Sequence, residues 1–285
     1  DAEPVARLMG GAPMVTSTGR AYEVETHYLS KPLPPTCRFE AALSALIVEA
    51  YWVSAHLGGT ILVFLPGEGE IHRAAAQLAA FNLTDVTIAP LFGAMTFGAQ
   101  RQAIAPIAQG RKIVLATSIA ETSLTIPDVR VVVDGGRARR ARFDPNSGMA
   151  RLVTEKVTRA EATQRKGRAG RVSAGLYFPL WTRGEEGALA AFPPAEIEAA
   201  DLTGLALELA LWGGSDEMAF LTPPPSGALA MARSLLCDLG ALEKSPTGFR
   251  LTPHGRALAG LPLHPRLAHM VIMAGGSDLA CLIAT

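Results

Sequence analysis

The sequence predicts an α/β fold in which helices cover both faces of a parallel sheet, followed by a mostly helical unit. Three observations carry that reading. From Phe39 to Ala116 helical and extended segments alternate, with helices at 39–56, 70–81 and 97–108 and strands at 60–65, 86–91 and 112–116. These strands are short unbroken apolar runs rather than alternating ones, as strands buried on both faces must be. After Trp181 the composition changes: eight acidic residues and no Lys or Arg lie between Glu185 and Ala232.

The remaining elements follow in order. Residues 1–9 read as a short helix, and 13–17 and 22–29 as extended pieces, the second alternating as a half-buried strand does. Lys31-Pro32-Leu33-Pro34-Pro35 is a stiff linker. Residues 130–134 and 176–180 add two strands. Between them, 138–143 and 149–153 flank Asp144-Pro145-Asn146-Ser147-Gly148, whose Asp-Pro-Asn and Gly signal a hairpin turn. Helical periodicity at 201–212, the Pro223-Pro224-Pro225 punctuation, a helix through Leu239 and extended pieces at 241–243 and 249–251 resemble a winged helix. A last helical region covers 265–285. Neither terminal helix has a cap or stop signal at its outer end, so the sequence reads as a segment of a longer chain.

The length of 285 residues accommodates two or three domains, and 49% hydrophobic with 18% charged content is that of an ordinary globular protein. With no apolar run long enough to cross a bilayer and no secretory leader, a soluble, cytoplasmic protein without membrane contact is expected. Cys37, Cys237 and Cys281 are far apart and lack C-x-x-C spacing, so they read as reduced thiols. His254, His264 and His269 have no carboxylate or thiolate at ligand spacing, and no metal ligand is assigned. Net charge is zero, yet twelve basic residues stand against four acidic ones between Arg130 and Arg171. That segment is a candidate surface for a polyanion.

The densest chemistry is in Gln164-Arg165-Lys166-Gly167-Arg168-Ala169-Gly170-Arg171. On a helix, Gln164, Arg168 and Arg171 are four and three residues apart and share a face. Arg168 and Arg171 offer planar, permanently charged forks for phosphoryl oxygens, and a pair near a γ-phosphate neutralises charge developing during its transfer. Gly167 and Gly170 each cost a helix roughly 0.5 to 1 kcal/mol, a cost tolerated where a backbone or ligand comes close. In open parallel sheets ligands bind at the carboxyl ends of strands. The loops expected there are 66–70, Phe92-Gly93-Ala94 and 117–126 (TSIAETSLTI). The last is dense in hydroxyls and amides, which hold sugar and phosphate oxygens without reading base identity.

With these segments in this order, the chain resembles the carboxyl-terminal half of the DEAH-type superfamily 2 ATP-dependent RNA helicases, most closely the bacterial HrpB group. Residues 60–71 look like motif IV, 91–100 like the loop after it, 116–126 like motif V and 164–171 like motif VI. A leading Gln rather than His in motif VI favours the DEAH over the DEAD-box branch. The segments LTPHGR (251–256) and LPLHP (261–265) look like the end of a winged helix and the entry to a helical ratchet domain. The resemblance implies a RecA-like sheet and four regions: 1–20 as a remnant of a first RecA-like domain, 21–184 as the second RecA-like domain with the hairpin inserted, 185–262 as the winged helix, and 263–285 as the start of the ratchet.

It implies ATP and Mg2+ for the full-length protein, with single-stranded RNA and the first RecA-like domain of the parent chain as partners. Residue by residue, Arg168 and Arg171 become arginine fingers and Gln164 a γ-phosphate contact. Gly93, Thr117 and Ser118 would touch the RNA backbone, and Ser123 and Thr125 would link that contact to the nucleotide site. Two positions depart from the family pattern. Pro127 stands where an acidic residue commonly follows the Thr-Ile pair near the ribose, with Asp128 one place later. Ile104 stands where eukaryotic relatives stack a Phe on the base, so base selectivity should be poor. The sequence has no Gly-Lys dipeptide and hence no P-loop. Its Asp216-Glu217 pair follows Gly213-Gly214-Ser215 rather than an apolar strand, so the segment by itself is expected to be inactive, with the Mg2+ ligands elsewhere. A non-catalytic nucleic-acid or partner-binding module, and a DNA translocase of the same superfamily, are the alternatives.

Overall fold

Unbroken apolar runs become the interior of a sheet in the computed structural model, which describes residues 2–16, 22–81, 83–121, 124–144, 147–213, 218–246 and 248–285. The chain forms two units. One comprises Ser17–Arg140 and Leu152–Pro193, the other Asp1–Thr16, Ala141–Arg151 and Pro194–Thr285. The first helix, α1 (Glu3–Leu8), belongs to the second of these. Residues 13–16, read from the sequence as extended, form no regular strand.

The sheet unit contains β1 (Val24–Thr26), α2 (Phe39–Val53), β2 (Thr60–Phe64), α3 (Glu68–Ala79), β3 (Val86–Leu91), α4 (Phe97–Ile104), β4 (Arg111–Ala116) and β5 (Val129–Asp134). A hairpin of β6 (Arg137–Asp144) and β7 (Met149–Lys156) precedes α5 (Arg159–Gly167), β8 (Gly175–Pro179) and α6 (Arg183–Gly187). Six strands pair in the order β1-β8-β5-β2-β4-β3, every pairing parallel. Successive side chains point to opposite faces of a strand, so each strand feeds two cores. Ile61, Val63, Ile113, Leu115, Val131 and Val133 pack with Leu43, Ile47, Ile71 and Leu78 of α2 and α3. Their neighbours Leu62, Phe64, Val114, Val132 and Tyr177 pack on the other face with Ala103 of α4 and Ala162 of α5. This is the helix-covered parallel sheet expected from the sequence.

Helix ends are where the expectation drifts. The helix expected over 97–108 stops at Ile104, because Ala105 precedes Pro106 and is pushed to extended backbone (φ −59°, ψ 144°). Lys112 is buried and donates to the freed carbonyls of Ala103 (2.8 Å) and Ala105. The helix expected over 70–81 starts two residues earlier and ends at Ala79.

The second unit adds α7 (Glu196–Ala199), α8 (Thr203–Trp212), α9 (Ser226–Asp238), the antiparallel pair β9 (Leu242–Ser245) and β10 (Gly248–Leu251), α10 (Pro253–Ala259), α11 (Pro265–Met273) and α12 (Asp278–Ala284). Its own core gathers Leu202, Leu209, Leu229, Leu236, Leu242 and Leu258. The helical region expected at 265–285 divides at Gly275 and Gly276, whose φ values of 61° and 70° end α11. The Asp216-Glu217 pair lies outside the described residues.

Candidate functional site

A capping box fixes where α5 begins. The Thr158 hydroxyl accepts from the Glu161 N–H (3.3 Å), and the Glu161 carboxylate accepts from the Thr158 N–H (2.7 Å). Arg140 of the hairpin donates to the same carboxylate at 2.5 and 2.6 Å. Burial opposes the charge on Glu161, but the Thr158 N–H and hydroxyl and Arg140 hold its carboxyl below the usual range.

From this cap the helix runs only to Gly167, so the motif VI-like octapeptide is not one helix. The N–H groups of Arg168, Ala169 and Gly170 donate to the carbonyls three residues back, which tightens the chain into successive turns. The rotation per residue increases, and the shared face expected for Gln164, Arg168 and Arg171 does not form. Gln164 and Arg171 are exposed, while Arg168 is only 3% exposed. Gly170 is required by close backbone approach: a Cβ there would lie 2.6 Å from the Tyr22 carbonyl oxygen. Gly167 has nothing within 4 Å of that point.

Arg168 donates from Nε to the Glu121 carbonyl and from Nη1 to the Leu124 carbonyl, both at 2.8 Å. Its Nη2 is buried without a partner. Burial, then the neighbouring Arg171, lowers its pKa. Arg171 has no hydrogen bond or ion pair among the described residues.

Sequence reasoning missed the role of Arg165. It is 1% exposed, donates from Nη1 to Asp134 (2.7 Å) and from Nε and Nη2 to Glu121 (2.5 Å), and lies 4.8 Å from the centre of the Phe64 ring. Asp134, fully buried, also accepts from the Gly136 N–H (2.8 Å) and the Tyr177 hydroxyl (3.0 Å). Burial disfavours the Arg165 charge, yet the Asp134 and Glu121 carboxylates hold the guanidinium firmly protonated. Burial pushes Glu121 up, with Arg165 only partly opposing. One sequence signal pointed this way: Arg165 is three residues after Ala162, on the apolar face of α5.

The remaining candidates fall at two edges of the sheet. Gly93, Thr117 and Ser118 follow the carboxyl ends of the adjacent strands β3 and β4, with the Thr117 N–H bonded to the Leu91 carbonyl at 3.2 Å. Gly93 and Ser118 are exposed, and Gln100 holds the Gly93 loop through its carbonyls at 93 and 95 (3.4 and 3.1 Å). Asp128 lies at the amino end of β5, exposed, with a left-handed φ of 56° and its carbonyl accepting from the Thr60 N–H at 2.8 Å. The 168–171 turn is beside the same edge, for the Tyr22 N–H donates to the Gly170 carbonyl (2.9 Å) just before β1. Ile104 is half-buried at the end of α4 against the second core, and Thr125 is exposed. Ser123 lies outside the described residues. The carboxyl-end rule therefore locates Gly93, Thr117 and Ser118, but neither the arginine turn nor Asp128.

The basic excess of 130–171 is smaller in space than in sequence. Acids from elsewhere meet it: Glu70 pairs with Arg139 at 3.2 Å and Glu121 with Arg165, while Arg137 stacks 4.3 Å from the Phe39 ring centre. Among the described residues no three His, Cys, Asp or Glu side chains gather as a metal-holding group.

The parallel six-stranded sheet with helices on both faces matches the RecA-like fold of helicase structures. The helicase conserved C-terminal domain family matches residues 40–173. The chain is 44% identical over 287 residues to the ATP-dependent RNA helicase HrpB of Escherichia coli (strain K12), covering 100% of this chain and 34% of that protein. It is 35% identical over 280 residues to the ATP-dependent RNA helicase HrpA of the same organism, covering 96% of this chain and 21% of that one. A crystal structure of the Escherichia coli DEAH/RHA helicase HrpB matches with a TM-score of 0.90 at 42% identity, across 100% of this chain and 36% of that chain. The chain thus carries a helicase conserved C-terminal domain and is HrpB-like in sequence and fold over its whole length. It spans about a third or less of the length of these relatives.

Proposed function

We propose that this chain works within a full-length ATP-dependent RNA helicase of the cytoplasm. Residues 21–184 serve as the second RecA-like domain, 185–262 as a winged helix and 263–285 as the start of a ratchet domain, with 1–20 left from the first RecA-like domain. ATP with Mg2+ binds between the two RecA-like domains, and the Mg2+ ligands belong to the first.

The observation that carries this reading is the Arg168 side chain. A buried cationic donor with no acceptor costs upward of about 1 to 3 kcal/mol, which an incoming phosphate oxygen offsets. Arg168 has one such donor, Arg171 beside it is unpaired, and no carboxylate bonds to either. These groups fit a polyphosphate. In the proposed complex Arg171 reaches the γ-phosphate from solvent, Arg168 turns its unpartnered Nη2 toward it, and Gln164 contacts it. Thr125, Asp128 and Ile104 face the nucleoside side, and Ser123 is assigned to the same site from its place in the sequence alone. Gly93, Thr117 and Ser118 hold the backbone of single-stranded RNA at the opposite edge. ATP, when bound, supplies the phosphoryl group, and the two arginines stabilise the charge that develops as it leaves.

In the full-length protein, Arg168→Ala and Arg171→Ala should each lower ATP turnover by about 10³-fold or more, with RNA affinity retained. Phosphate release alongside RNA-binding titration measures both. Normal turnover in either variant removes that arginine from the finger role.

A further inference from the structure

We infer that Phe97, with Arg101 against its ring, is a stacking platform for one base of the single strand, an inference that rests on the helicase reading above. The carboxyl edge then senses a base as well as the backbone. Phe97 is the first residue of α4 and directly follows the Gly93 loop. That loop is closed on itself. The Met95 N–H donates to the Phe92 carbonyl (3.2 Å), Gln100 holds the carbonyls at 93 and 95, and the Thr96 hydroxyl caps α4 by accepting from the Ala99 N–H (3.3 Å). Phe97 therefore has a fixed footing beside the residues assigned to the RNA backbone, and its side chain is nonetheless 75% exposed.

A singly exposed apolar side chain is ordinary on a protein surface. The surroundings of this one are not. Arg101, four residues on and so on the same side of the helix, places its guanidinium 5.8 Å from the ring centre. It is exposed and makes no hydrogen bond or ion pair among the described residues. From 86 to 120 the sequence has no Asp or Glu, and its other two cations, Arg111 and Lys112, are buried and bonded to main-chain carbonyls. Arg101 is thus the charge that this segment presents to solvent, with no carboxylate of the segment to compete for it. An apolar peptide would use the ring and leave the cation idle, and an acidic one would do the reverse. A nucleotide uses both, its base against the open ring face and its phosphate near the guanidinium. Stacking is stronger for the larger purine face, so the platform confers a purine preference that backbone contacts alone do not.

The test titrates single-stranded oligoadenylate and oligouridylate of equal length against the full-length protein and its Phe97→Ala, Phe97→Trp and Arg101→Gln variants, and takes the melting temperature of each. The parent should bind oligoadenylate more tightly. Phe97→Ala should weaken oligoadenylate about tenfold and oligouridylate about threefold, so that the preference shrinks, whereas Phe97→Trp should keep it. A 2-aminopurine moved along the RNA should lose emission at one position on binding the parent, and keep it on binding Phe97→Ala. Arg101→Gln should flatten the salt dependence of both RNAs alike, by roughly 0.7 in the log–log slope. Unchanged affinities in Phe97→Ala, or an equal loss on both RNAs, overturn the platform and leave the helicase reading standing. A lower melting temperature of Phe97→Ala with normal RNA binding overturns it too, because the ring then serves the packing of the longer chain. Failure of the parent to bind either RNA overturns both.

Discussion

Arg165, Arg168 and Arg171 lie within seven residues of one another, yet each meets a different environment. Arg165 is enclosed by two carboxylates, Arg168 by main-chain carbonyls, and Arg171 by solvent. Removing one member of a buried ion pair strands the other charge, which costs about 3 to 5 kcal/mol. Arg165→Ala should therefore destabilise the chain by about that amount through Asp134, whereas Arg171→Ala should stay within about 0.5 kcal/mol of the parent. Urea unfolding of the two variants decides it. Equal stabilities would mean that Asp134 and Glu121 find other partners.

At the scale of the element, α5 is set by its two ends. Glu161 at the cap has a folded pKa below its unfolded value, near the ordinary 4.3 or so. Its contribution to stability is therefore present above that unfolded value and is lost as pH falls through the lower, folded one. The urea midpoint should drop between about pH 5 and pH 3, and Glu161→Gln should be less stable at neutral pH with a shallower acid decline. An unchanged slope would assign the acid sensitivity to other carboxylates, such as Asp201, which Thr203 and His264 hold low against its burial. At the far end, Gly170→Ala drives a methyl against the Tyr22 carbonyl and should cost about 1 to 3 kcal/mol. Gly167→Ala meets open space at the helix end and should stabilise by up to about 1 kcal/mol. Thermal melts of the pair test whether backbone approach, rather than helix propensity, explains the second glycine.

At the scale of the whole molecule, two units carry separate cores, and the candidate site residues that are described all belong to the sheet unit. On the function proposed above, that unit offers arginines to a phosphate, and its sequence holds no phosphate loop to wrap it. Proximity and electrostatic stabilisation have to act together in phosphoryl transfer, so half of the contacts yields no turnover. The purified 285-residue chain should release no phosphate from ATP, with or without single-stranded RNA. RNA-stimulated release by this chain would refute the half-site argument.

The apolar runs of β2, β4 and β5 and the helical periodicity between them determined the helix-covered parallel sheet, because periodicity and burial are local properties of sequence. The order of the hydroxyl-rich loop and the arginine octapeptide likewise pointed to the helicases, but the shared face expected for Gln164, Arg168 and Arg171 did not form. What they touch was not legible. Asp134 and Glu121 are 31 and 44 residues from Arg165, and no spacing rule reaches that far; only the parallel crossovers bring them together. The tertiary structure alone decided that the octapeptide breaks at Gly167, that Arg165 faces carboxylates while Arg168 keeps one donor unpaired, and that the arginine turn and Gly93 lie at opposite edges of one sheet. Burial assigns each guanidinium its partner, and burial is a property of the packed whole.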